Sequence, residues 1–155
     1  MKKQILTVVF VFPLILFLSL PGPAAAQDKP SERKIITPTD QPATTPFSPA
    51  ILVVGTLYIS GQLGTDPETG KLAGETMTAQ AERAIKNIEI LCKRAGMDLS
   101  HVVATTAFIT DFKEFGEFNA VFRKYFPANP PTRATVQVAG LAADAKIEIS
   151  AVAVK

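Results

Sequence analysis

Two charges sit where strand-like sequence makes charge costly. In "NPPTRATVQV", residues 129–138, paired prolines hold the chain extended and Arg133 heads a β-branched run. Fifteen residues on, Glu148 stands between Ile147 and Ile149 in "KIEIS". A carboxylate is rarely enclosed without a partner or a task. A guanidinium forks onto carboxylates with two parallel hydrogen bonds, so Arg133 suits the anionic end of a ligand. A glutamate beside it can orient or deprotonate water. As ordinary structure, the same two residues would be solvated charges or a structural ion pair.

Three further places carry polar chemistry. Asn119 lies four residues after Phe115 and three before Phe122, on an aromatic stripe, and needs a hydrogen-bond partner there. It is either a satisfied buried amide or part of a site. Ser60 and Gly61 end the apolar run "TLYISGQL" with small residues, either as plain strand-end chemistry or as backbone that a small ligand approaches. His101, the single histidine, opens a strand after a loop, a surface position that gives no serine–histidine–acid set. One histidine and one cysteine, Cys92, make no metal-ligand cluster, and there is no glycine-rich phosphate loop. No metal and no cofactor are expected.

The elements that must position these residues follow from periodicity. "RKIITP" offers a short edge strand, and Ile51–Gly55 with Thr56–Leu63 reads as a hairpin turning at Gly55. From Thr76 to Ala95, Met77, Ala81, Ala84, Ile85, Ile88, Leu91 and Cys92 recur at helical spacing, and Gly96 supplies the stop. "HVVATTAFIT" is a strand. Asp111 with Glu114 has capping-box spacing ahead of a second helix lined by Phe115, Phe118, Phe122, Tyr125 and Phe126. "TRATVQV" and "IEISAVAV" are the last two strands. The fold class is α+β, a mixed sheet with two helices on one face. The last strand is largely apolar on both sides, so its second face needs cover that the helices cannot give. A second subunit is the expected cover.

Length and composition fit one domain: 155 residues, 47% apolar and 19% charged. Residues 1–26 have a basic start, an apolar stretch from Ile5 to Leu20, and small Ala24 and Ala26 at signal-peptidase spacing. This reads as a secretory signal peptide cleaved after Ala26, which leaves no stable membrane anchor and directs the protein to the periplasm or beyond. Residues 27–45 form a polar, proline-rich tail with the edge strand, and 46–155 the folded domain. With Lys2 and Lys3 removed from the 16 basic residues, 14 remain against 14 acidic ones. A net charge of zero gives no footprint for nucleic acid. A lone cysteine forms no internal disulfide.

"PTRATVQVAGLAADAKIEI" closely resembles the C-terminal signature of the RidA/YjgF family of enamine/imine deaminases. "YISGQL" with "DPETG", "NIEILCKRAG" and "TTAFITDFKEFGEFNAVFRKYFP" agree with it, over about Pro46 to Val154. The resemblance implies a chorismate-mutase-like subunit in a homotrimer, with a small cleft at each subunit interface. It also implies that the last strand need not pair with the strand carrying Arg133. The implied reaction is hydrolysis of 2-aminoacrylate-type enamines, or their imine tautomers, to a 2-oxo acid and ammonia. Arg133 matches the arginine that grips the substrate carboxylate, and Glu148 the glutamate that positions water. Ser60, Gly61 and Asn119 match residues beside the ligand. Two stretches depart from the family pattern. In "TPFSPA" Phe47 stands at a usual tyrosine and Pro49 at a usual glutamine, and Thr135 stands at a usual cysteine. The alternative on the same fold is a non-catalytic trimer that binds small carboxylates or acts as a holdase.

Overall fold

The computed structural model describes residues 32–40 and 46–155. The expected signal peptide lies outside the described residues. Six strands form one sheet: β1 (Lys34–Ile36), β2 (Ala50–Val53), β3 (Thr56–Leu63), β4 (Val102–Ile109), β5 (Thr132–Gln137) and β6 (Ile147–Val154). Their order is β1-β2-β3-β6-β4-β5, antiparallel except for the β4–β5 pair. β6 therefore lies at the centre, between β3 and β4, and does not pair with β5.

Helix α1 (Met77–Arg94) starts at Thr76, whose side chain accepts from the Ala79 N–H, and ends at Ala95, before Gly96 at φ +71°. Its buried stripe includes Ile85, Ile88, Leu91 and Cys92, each at most 1% exposed. Full burial of an aliphatic side chain contributes about 1.5–3 kcal/mol, so this stripe fixes the helix to the sheet. Two polar residues on the same stripe were not expected in the core. Gln80 donates to Gly74 O and accepts from Lys146 N, both at 2.8 Å. Asn87 donates to Leu63 O and Thr65 O at 3.0 and 2.8 Å. Both tie the helix to backbone that lies outside it, at the end of β3 and in the loops at Gly74 and Lys146.

The hairpin turns at Val54 and Gly55, both at positive φ (46° and 73°), as a tight two-residue turn requires. Helix α2 (Phe115–Tyr125) follows a 3₁₀ turn at Phe112–Glu114. Asp111 caps that turn by accepting from Lys113 N at 2.8 Å. The capping box expected with Glu114 does not form, because the Glu114 carboxylate instead takes the ammonium of Lys146 at 2.9 and 3.1 Å.

Opposed residues on adjacent strands share a sheet face. Ile147, Ile149, Ala151 and Ala153 of β6 are buried beneath the helices, while Glu148, Ser150 and Val152 point to the other side. That side bears Tyr58, Val136 and Val154, which are 53%, 46% and 40% exposed. No element among the described residues covers it.

Candidate functional site

Arg133 lies on the helix-covered face. Its β4 partner is Thr105, which also opposes Ala151 of β6, and both of these are buried. The guanidinium reaches α2, where Nη2 donates to Asn119 Oδ1 at 2.5 Å. It also lies against three rings, 4.5 Å from the Phe122 centroid, 4.8 Å from Phe118 and 5.6 Å from Phe115. The aromatic stripe of α2 thus has two jobs. Its spacing packs the helix, and its ring faces cradle a cation. Asn119 is the polar break in that stripe because it holds the same guanidinium. Partial burial and the nearby Arg123 hold the Arg133 pKa below the ordinary arginine value. Among the described residues, neither Arg133 nor Arg123 has a carboxylate partner. Thr135 is two residues along β5 on the same face, half-buried.

Glu148 lies on the other face. It opposes Leu63 of β3 and Phe108 of β4, between the wholly buried Ile147 and Ile149. The pairing of β3 with β6 slips by one residue between Ile59 and Gln62, a bulge that falls on Ser60 and Gly61. Gly61 ends up beneath the Glu148 carboxylate, in a space where any side chain would collide with it. Ser60 donates through both N and Oγ to Pro49 O, each at 3.0 Å. These bonds tie the segment carrying the exposed Phe47 to the bulge.

The residues singled out from the sequence therefore form two groups. Arg133, Asn119 and Thr135 occupy one face, and Glu148, Gly61, Ser60 and Phe47 belong to the side of the bulge. Arg133 and Glu148 form no ion pair with each other within the chain. Phe118 and Phe122 were missed as site residues because their spacing reads equally well as plain core. His101 is a cap residue: its Nδ1 lies 3.0 Å from Asp98 Oδ1, and it closes a capping box with Asp98 ahead of β4. Cys92 is buried, and burial with Asp98 and Glu89 nearby pushes its thiol up to about 11.

Over residues 38–155 the sequence matches the family described as Endoribonuclease L-PSP. The chain belongs to this family. It is the same group as the RidA/YjgF proteins whose motifs it resembles. A mouse relative named 2-iminobutanoate/2-iminopropanoate deaminase is 41% identical over 124 residues, spanning 79% of this chain and 92% of that protein. The Arabidopsis thaliana protein Reactive Intermediate Deaminase A, chloroplastic, is 40% identical over 79% of this chain and 66% of its own length. Among solved structures, RidA from an Antarctic Psychrobacter aligns with a TM-score of 0.72 at 40% identity, covering 78% of this chain and 98% of that one. E. coli TdcF with bound serine aligns with a TM-score of 0.73 at 33% identity, covering 79% and 98%. The mouse relative is thus named an imine deaminase, and the fold is that of the solved RidA chain.

Proposed function

We propose that this protein hydrolyses 2-imino acids and their enamine tautomers to 2-oxo acids and ammonia, at sites shared between subunits of a homotrimer. The observation that carries the reading is the division of Arg133 and Glu148 between opposite faces of one sheet. A site that uses both needs Arg133 from one chain and Glu148 from another. The uncovered face with Tyr58, Val136 and Val154 supplies apolar surface for that association. The serine in the E. coli TdcF structure is a small carboxylate of the expected size.

In this reading Arg133, held by Asn119 and the three rings, takes the substrate carboxylate. The Glu148 carboxylate of a neighbouring chain orients a water and accepts its proton as oxygen adds to the imine carbon. The resulting carbinolamine collapses: the returned proton converts its nitrogen to an ammonium leaving group, the hydroxyl proton passes to the Glu148 carboxylate, the C–N bond breaks, ammonia leaves and C=O remains. An enamine first takes a proton at its β-carbon. The imine carbon is already electrophilic, so placement of carboxylate and water is the main demand. Gly61 and Ser60 line the water side, Phe47 contributes a ring without a hydroxyl, and Thr135 lines the Arg133 side. The reading includes the leader at residues 1–26 and an exported mature protein, which mass determination of the secreted N-terminus tests.

Subunit complementation is the test. Arg133→Ala and Glu148→Gln chains should each be nearly inactive on imines generated by an amino-acid oxidase. Mixed and reassembled at equal amounts, they should regain activity in about a quarter of the sites if chains assort at random. No recovery in verified mixed trimers would place both residues in one chain's site and overturn the reading.

A further inference from the structure

We propose that Arg123 is a specificity-determining residue, forming with Arg133 a two-cation site that selects ligands carrying a second anionic group, namely 2-imino dicarboxylates. This rests on Arg133 as the carboxylate-binding residue. Arg123 lies one helical turn after Asn119 on α2, and Asn119 Oδ1 is bonded to Arg133 Nη2 at 2.5 Å. Residues four apart on a helix share a face, so Arg123 and Asn119 are neighbours on one side of α2. The Arg123 charge is felt at Arg133, where it disfavours a second positive charge. Other cations of the same region are neutralised: Lys124 by Glu82 at 2.8 Å, and Lys146 by Glu114. Arg123 is exposed and has no carboxylate partner among the described residues, although Glu117 lies on the same helix, where it accepts from Thr78 Oγ1.

A 2-imino acid with its first carboxylate on Arg133 would present a side-chain carboxylate to Arg123. A position in the last turn of α2 also favours a cation through the helix dipole, a role that is indifferent to the ligand. The two roles separate experimentally. Equilibrium binding of 2-oxoglutarate and 2-oxobutanoate, as product analogues, is measured on the full-length mature protein, on Arg123→Gln and on Arg133→Ala. Wild type should bind the dicarboxylate about three- to fivefold more tightly, the scale of a partly exposed ion pair. Arg123→Gln should abolish that preference while leaving 2-oxobutanoate affinity within about twofold, and added salt should shrink it in wild type. Equal affinities in wild type, a preference that survives Arg123→Gln, or a loss of thermal stability with no change in the ratio would each overturn the inference alone. Binding of both acids that is indifferent to Arg133→Ala, or binding of neither, would overturn the assignment of Arg133 and this inference with it.

Discussion

Gly61 lies directly beneath the carboxylate of Glu148, and a β-carbon added there would meet Glu148 Cδ at 2.5 Å and Cγ at 2.9 Å. The β3 bulge creates this arrangement, because one extra residue opposite Ser150 turns the glycine under the neighbouring strand's glutamate. The obstructing atoms belong to the end of a flexible side chain. Gly61→Ala should therefore swing the carboxylate aside at a cost of about 1 kcal/mol or less in stability. In the proposed reaction, where Glu148 positions the water, a displacement of about 1 Å lowers turnover by on the order of a hundredfold. The expected outcome is an imine hydrolysis rate that collapses while the melting temperature barely moves. Undiminished turnover in Gly61→Ala would show that the position of Glu148 does not matter to the reaction.

The rings of Phe118 and Phe122 hold the Arg133 guanidinium at 4.8 and 4.5 Å. Phe122→Leu keeps an apolar side chain but removes a π-face that contributes about 0.5–2 kcal/mol to a cation's placement. Ligand carboxylate affinity should fall a few-fold, seen as a raised KM with a smaller change in kcat. Phe122→Tyr keeps the ring and should keep the affinity. Arg133→Ala removes the charged hydrogen bonds altogether, with a loss on the order of a hundredfold in kcat/KM. Steady-state kinetics on these three variants checks the ordering.

Gly64 makes a different kind of contact. A β-carbon there would stand 2.5 Å from Gln80 Cα and 2.6 Å from its carbonyl oxygen, and helix backbone cannot step aside as a side chain can. Gly64→Ala should destabilise the protein by about 1–3 kcal/mol or more, read as a lower urea midpoint. Gly116 in α2 has nothing within 4 Å, and Gly116→Ala should be neutral to stabilising by about 0.5 kcal/mol.

Cys92 should behave as a small core residue. Its thiol, buried and raised to about 11, carries almost no thiolate at pH 8. Labelling with an aromatic disulfide reagent at that pH should be negligible in the native protein and stoichiometric after denaturation. Fast native labelling would mean that α1 opens readily from the sheet.

The sequence by itself determined the elements, since the period of apolar residues is a local property. The stripe from Met77 to Cys92 is the buried face of α1, and the alternation of Ile147, Ile149, Ala151 and Ala153 is the covered face of β6. It also marked Arg133, Glu148 and Asn119 as out of place in apolar surroundings, and its ordered motifs carried the resemblance to one family. Only the tertiary structure decided which of these residues meet. Strand order is a non-local outcome: β6 enters between β3 and β4, and β5 joins β4 in parallel, so residues 133 and 148 emerge on opposite faces. The bulge at Ser60–Gly61 and the capture of Glu114 by Lys146 depend on partners far along the chain. For the same reason the α2 phenylalanines read as plain core until β5 laid a guanidinium across them. Periodicity tells which side of an element is buried, but not which charge the fold will bring to that side.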